Sequence, residues 1–293
     1  MKLSEIHIRD PFILASRSRG EYYLYASTPK EYGKGFCAYK SVDLENWTGP
    51  YVVFDATDFW AKDNFWAPEV HFYKGRFYLF GTFGTNGVAR TSQILVSDSP
   101  LGPFEVLSGA IAPPSWFALD ATLYLHKGTP YAIFSHEWVQ TPDGEMCSVA
   151  LADDLSSPTG ETKILFKASE SGWAKSPKWN TEKYPVYVVD APFVYSIDGF
   201  EFLLWSSWSS SVDSDTYSIG AVYPESGNIL SGKYRHELLE LPQKDCGHAM
   251  IFKDFEGRDR ICYHKNNSLC GRERAVINYI KIENERVKVY EKI

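Results

Sequence analysis

The chain has 293 residues, 44% of them apolar and 16% aromatic, and a formal charge of -7 at neutral pH. That is ample material for a large core, and the acidic balance argues against nucleic acid or an anionic membrane as partner, since either needs a basic face. No apolar run approaches the roughly 18 residues that span a bilayer, so a neutral partner in solution is expected. Met1-Lys2-Leu3-Ser4-Glu5-Ile6 has no signal-peptide core, which reads as a cytoplasmic protein or an exported one whose leader has been removed.

Five units follow in chain order, each with a head residue, a β-rich stretch, a turn glycine and a second β-rich stretch. The first runs from Asp10-Pro11-Phe12-Ile13 through Gly20 to Tyr22-Tyr23-Leu24-Tyr25, and the second from Trp66-Ala67-Pro68-Glu69-Val70 through Gly75 to Phe77-Tyr78-Leu79-Phe80. The third starts at Asp120 and turns at Gly128, the fourth starts at Asp190 and turns at Gly199, and the fifth starts at His248 and turns at Gly257. The glycines are 55, 53, 71 and 58 residues apart. A period near fifty with about four strands per unit predicts an all-β, five-bladed β-propeller, one domain over residues 1–293. Polar clusters at Ser41–Trp47, Ser97–Phe104 and Ala152–Pro158 are expected to join third to fourth strands at the outer rim. A β-sandwich competes, but it gives no reason for head residues at a nearly constant offset from the glycine.

In a propeller the heads of the inner strands converge on one channel mouth. Asp10, Asp120 and Asp190 are then expected to meet, with Trp66 and His248 completing the ring. Crowded carboxylates have their pKa values pushed apart. Glycosidic hydrolysis uses that split: one carboxylate activates water while a protonated one serves the leaving oxygen. Each aspartate alone has a plainer reading as a turn cap; three at matching offsets favour chemistry.

The ordered motifs Arg9-Asp10-Pro11-Phe12, Trp66-Ala67-Pro68-Glu69, Pro100-Leu101-Gly102-Pro103-Phe104, Leu119-Asp120-Ala121, Asp190-Ala191-Pro192-Phe193 and Cys246-Gly247-His248-Ala249 span nearly the whole chain. Together they resemble glycoside hydrolase family 43. The resemblance implies a five-bladed propeller and inverting, exo-acting or debranching hydrolysis of arabinofuranosyl, xylosyl or related galactosyl residues of plant-type or dietary glycans. It implies Asp10 as general base, Asp120 as the residue that orients the acid, and His248 as a channel histidine that binds water or an ion. The chain departs from the pattern where members commonly carry Glu-Gly-Pro, with that Glu as general acid. Asp190-Ala191-Pro192 stands there, one methylene shorter. Asp190 and Glu137, in Ser135-His136-Glu137-Trp138, are therefore both candidates for the acid.

For sugar binding, the resemblance points to Trp66, and Trp116, Phe117, Trp138 and Trp208 are further stacking candidates. Glu69 reads as an acid at the site rim, and Arg274 resembles a last-blade arginine that reaches the site. The stretches Tyr51–Phe65 and Ser169–Pro185 are expected to shape the pocket. Five cysteines (Cys37, Cys147, Cys246, Cys262, Cys270) suit a reducing compartment, and the Cys-x-His pairs at 246/248 and 262/264 read as buried cysteines rather than a zinc site. No cofactor is required; Ca²⁺ or another ion near His248 is implied only by resemblance. The partner is an oligosaccharide or polysaccharide. The competing reading is a non-catalytic carbohydrate-binding propeller, motivated by the missing Glu. A glycoside phosphorylase ranks below both, because the motifs are acidic and aromatic and offer no phosphate cluster.

Overall fold

The computed structural model describes residues 1–210 and 215–291. Five antiparallel four-stranded sheets succeed one another along the chain, each built from one contiguous stretch. Blade I holds β1 (Phe12–Ser16), β2 (Glu21–Ser27), β3 (Gly35–Ser41) and β4 (Thr48–Asp55). Blade II holds β5 (Asp63–Tyr73), β6 (Arg76–Thr85), β7 (Val88–Ser97) and β8 (Glu105–Val106). Blade III holds β9 (Ala118–His126), β10 (Thr129–His136), β11 (Glu145–Ala150) and β12 (Lys163–Lys167). Blade IV holds β13 (Asp190–Ile197), β14 (Phe200–Ser210), β15 (Asp215–Pro224) and β16 (Tyr234–Leu238). Blade V holds β17 (Cys246–Lys253), β18 (Asp259–Lys265), β19 (Arg274–Glu283) and β20 (Arg286–Tyr290). The architecture is the five-bladed propeller expected from the repeat. The Tyr51–Phe65 stretch is mostly strand, since β4 runs to Asp55 and β5 starts at Asp63; only residues 56–62 are loop.

The second strand of each blade is covered on both faces by its neighbours, which is why its text is continuously apolar instead of alternating. Tyr23, Leu24, Tyr25, Phe134, Phe202 and Leu204 are all essentially inaccessible. The first-to-second strand turns follow from local chemistry. Lys74-Gly75, Lys127-Gly128 and Asp198-Gly199 all have both residues at positive φ, the two-residue I′ hairpin that matches strand twist.

The heads of the inner strands depart from the expected repeat. One residue with positive φ marks each head: Asp10 (55°), Ala67 (48°), Asp120 (55°), Ala191 (56°) and His248 (54°). The ladder shifts register around the last four, between Trp66 and Glu69, Leu119 and Thr122, Asp190 and Phe193, and Gly247 and Met250. The equivalent places are therefore Asp10, Ala67, Asp120, Ala191 and His248. Trp66 and Asp190 stand one residue earlier, in the class of Arg9, Leu119 and Gly247. The expected ring of three equivalent aspartates is thus two aspartates and a histidine, with Asp190 approaching from the neighbouring position.

A left-handed conformation costs a non-glycine residue roughly 1–2 kcal/mol. Here, in four blades, the strand-head N–H is held by a side chain of the preceding blade. Asp10 N–H donates to His264 Nδ1 (3.3 Å), Asp120 N–H to Thr82 Oγ1 (2.9 Å), Ala191 N–H to Asp120 Oδ2 (3.2 Å) and His248 N–H to Ser206 Oγ (2.9 Å). Thr82, Ser206 and His264 lie opposite Trp66, Asp190 and Gly247 on the second strand, so one place in the repeat does the same job in three blades.

Blades I and V close the ring by packing and by the first eight residues, without exchanging a strand. The Tyr22 ring stacks on Phe255 at 4.0 Å, Trp47 N–H donates to Met1 O (2.8 Å), and Ile8 N–H donates to Glu273 O (3.3 Å). Ile6 and Ile8 are each 2% exposed in this seam. Truncating Ile8 to Ala is expected to cost about 2–4 kcal/mol, read as a lower urea midpoint at unchanged slope. A midpoint unchanged by Ile8→Ala would mean that the seam does not hold the ring.

Candidate active site

Asp10, Asp120 and His248, from blades I, III and V, meet at the channel mouth. His248 Nδ1 lies 3.2 Å from Asp10 Oδ1 and 3.8 Å from Asp120 Oδ2. His248 is 5% exposed, and burial alone would favour the neutral ring; the Asp10 charge and hydrogen bond, with Asp120 and Glu69, outweigh it and push its pKa up to about 9. Burial also opposes ionisation of Asp10, but the His248 charge and hydrogen bond, with Arg9, hold that carboxyl well below the usual range. His264 is not a second cation there. Its Nδ1 accepts the Asp10 N–H, its Nε2 faces Asn267 Oδ1 at 3.1 Å, and burial lowers its pKa to about 4, so the 3.5 Å approach of Nδ1 to Asp10 Oδ1 is no ion pair.

The other two aspartates sit in opposite electrostatic surroundings. Asp120 is raised well above the ordinary value by burial and by the neighbouring acids Asp190, Asp10 and Glu137, with only His248 opposing. Asp190 is raised to about 6, first by burial, then by Glu137 and Asp10; the Tyr217 hydrogen bond and Arg9 pull the other way. Tyr217 Oη donates to Asp190 Oδ2 at 2.6 Å. Gly247 makes this possible, because a Cβ there would collide with the Tyr217 ring.

Glu137, the other acid candidate, is 3% exposed and gripped by Arg90 through two parallel bonds, Nε to Oε1 at 2.8 Å and Nη2 to Oε2 at 2.6 Å. The Arg90 guanidinium lies 5.2 Å from the Trp66 ring and 5.6 Å from the Phe117 ring, so this pair supports part of the aromatic wall. Trp66 is 38% exposed at the mouth. Trp116 stacks on His136 at 3.9 Å, which occupies one of its faces. Trp138 lies 5.4 Å from Trp179, and Trp179 lies 6.0 Å from Trp208, so the Ser169–Pro185 insertion adds a ring to the opposite wall.

Two expected site residues do not line the mouth. Glu69 is no rim acid: it is 3% exposed and paired with His71 at 3.0 Å. Arg274 does not reach the site; its guanidinium donates to Ser4 O (3.0 Å) and Glu273 O (2.8 Å), tying the N-terminal stretch to blade V. Deeper in the channel Phe12 meets His71 (5.2 Å) and Phe193 (6.2 Å) across the axis. Arg9, Arg90, Tyr217, His264 and Trp179 escaped the site assignment from sequence. Arg9 and His264 lay within motifs already singled out, whereas Tyr217 and Arg90 come from third strands, and only register reveals what those face.

Among the described residues no group of three or more His, Cys, Asp or Glu could hold a metal ion. His248 turns Nδ1 to Asp10 Oδ1 at 3.2 Å, so that nitrogen is engaged with a carboxylate. Cys246 and Cys262 are buried and Cys270 is exposed. Among the described residues no helix is long and apolar enough to cross a membrane.

A model of the glycosyl hydrolases family 43 matches residues 4–284. An endo-arabinase from Bacteroides thetaiotaomicron superposes with a TM-score of 0.88 at 42% identity, covering 97% of this chain and 98% of that one. An endo-1,4-β-xylanase of the same organism shares the fold, with a TM-score of 0.72 at 22% identity over 97% of this chain and 94% of that one. An extracellular exo-α-(1→5)-L-arabinofuranosidase of Cellvibrio japonicus is 24% identical over 232 residues, 70% of this chain and 59% of that protein. An α-L-arabinofuranosidase of Humicola insolens is 26% identical over 159 residues, 53% of this chain and 31% of that protein. The chain therefore spans less than two thirds of the length of these curated relatives.

Tyr217→Phe removes the donor that favours the charged form of Asp190. The Asp190 carboxyl is then expected to titrate above its value of about 6, followed by the ¹³C resonance of the side-chain carboxyl. A titration that stays put or moves down would contradict the assigned contact.

Proposed function

The chain belongs to the glycosyl hydrolases of family 43, and from this premise we propose that it hydrolyses α-L-arabinofuranosyl linkages of arabinan-type glycans with inversion at the anomeric carbon. Likeness to the endo-arabinase over 98% of that chain supports the substrate class, and the two arabinofuranosidases point the same way. The observation that carries the reading is the contrast between two buried carboxyls: Asp10 lies against His248 and Arg9, which favour its ionised form, and Asp190 lies among acids that raise its pKa to about 6, so it holds its proton below that pH.

Asp10 takes a proton from water as that water attacks the anomeric carbon from one face. Asp190 gives its proton to the glycosidic oxygen leaving from the other, with Tyr217 holding its second oxygen. Asp120 accepts the Ala191 N–H and so fixes the backbone beside the acid. Glu137 is the weaker candidate for the acid, because protonation would break two strong charge-assisted bonds to Arg90.

The sign of the pH dependence follows. Asp10 stays ionised far into acid, so kcat/KM is expected to hold at low pH and to fall as pH rises through about 6, where Asp190 loses its proton. Asp190→Asn is expected to lower turnover of arabinobiose by about 10²–10⁴-fold. On p-nitrophenyl α-L-arabinofuranoside, whose leaving group needs no proton, the loss is far smaller. Glu137→Gln affects both substrates alike. The reverse pattern transfers the acid role to Glu137. If wild type binds arabino-oligosaccharides but cleaves neither these substrates nor arabinan, the propeller is a binding protein. A single monosaccharide product marks exo or debranching action, and a ladder of oligosaccharides marks internal cleavage.

A further inference from the structure

We propose that a polar cavity on blade II, beside the carboxylate channel, is a second carbohydrate subsite that takes a neutral sugar ring of the same glycan; this rests on the function proposed above. The cavity encloses about 640 Å³ and is lined by Asp63, Asn64, Thr85, Asn86, Arg90 and Phe117, with the Gly87 hairpin at its edge. That volume lies within the ordinary range of ligand sites. The cavity shares Arg90 and Phe117 with the aromatic wall of the active site. Asp63 precedes Trp66 by three residues on β5, across a bulge at the left-handed Asn64. A glycan lying over Trp66 therefore passes the cavity as it leaves the channel.

The lining chemistry selects the ligand class. Glu137 occupies Nε and Nη2 of Arg90 and neutralises its charge, leaving the Nη1 donors without a protein partner among the described residues. The exposed Asp63 carboxylate and Asn86 amide also make no side-chain hydrogen bond to protein among the described residues. A phosphate or carboxylate would meet Asp63 and an arginine already paired. A free cation would meet the Arg90 guanidinium. A neutral ring with adjacent hydroxyls finds donors from Arg90 and Asn86, acceptors from Asp63 and Asn64, and the half-buried Phe117 ring for its C–H groups. Both Asp63 and Asn86 are exposed, so their removal leaves the core untouched.

The test compares Asp63→Ala/Asn86→Ala with the parent protein. In an Asp10→Asn background, calorimetry with linear α-1,5-arabinohexaose should show binding weakened about fivefold or more, while arabinobiose binding stays within about twofold. In the active enzyme the double variant should raise KM for debranched arabinan by a similar factor, with turnover of the aryl arabinofuranoside unchanged. Equal hexaose affinity with and without the two side chains overturns the subsite while leaving the proposed hydrolysis standing. Hexaose that fails to bind the Asp10→Asn protein with its cavity intact overturns it as well. Failure of the hydrolytic reading shows separately, as a wild-type protein that binds hexaose through Asp63 and Asn86 but cleaves no arabinan.

Discussion

The structure depends on one recurring constraint, a left-handed residue at the head of each inner strand. The ladder cannot keep register through such a residue, so the strand bulges there and aims the head at the axis. In four blades a side chain of the preceding blade holds the head's N–H, which makes the bend an inter-blade contact as well as a local one. Non-glycine residues in this conformation cluster where surrounding structure over-determines them, commonly at functional sites. Here three of the five are Asp10, Asp120 and His248. The same hydrogen bond that closes a blade seam therefore sets the position of a reacting group, and in blade IV it is Asp120 itself that performs the latch.

The electrostatics follow from that geometry. Asp10, Asp120 and Asp190 converge with one imidazolium among them, and the charge of His248 goes chiefly to Asp10, the nearer partner at 3.2 Å. Asp120 and Asp190 are left with burial and mutual repulsion, so both keep protons that an exposed carboxyl would lose. Such an assignment of one ionised and one protonated carboxyl is what the proposed inverting hydrolysis needs. Arg90 bonds both oxygens of Glu137, which weighs against that residue as the proposed acid. Asp190, the proposed acid, sits one residue ahead of the bend, with Tyr217 anchoring it and Gly247 leaving room for that ring.

Much of this was legible in the sequence, and the failures have a common physical origin. Turn glycines and head motifs read out directly, because I′ hairpins demand Gly and buried second strands demand apolar text. Asp10, Asp120, Asp190 and His248 lie at heads, and the structure brings them together. What could not be read was the single-residue bulge: Trp66 and Asp190 looked equivalent to Asp10, yet one residue in a strand changes which way a side chain faces. Glu69, buried against His71 below the mouth, and Arg274, turned to Ser4, were misplaced for a related reason, since strand position alone does not say how deep a charge sits or what it faces. Tyr217 and Arg90 needed cross-strand register, which no motif records.

The central claim is that Asp10 and Asp190 act from opposite faces of the sugar, as separate base and acid. Proton NMR of the first product released from an α-1,5-arabino-oligosaccharide tests it most directly, before mutarotation mixes the anomers. The account predicts that the β-anomer appears first. Initial release of the α-anomer would mean retention through a covalent intermediate, with a carboxylate as nucleophile, and would contradict the roles assigned to both residues.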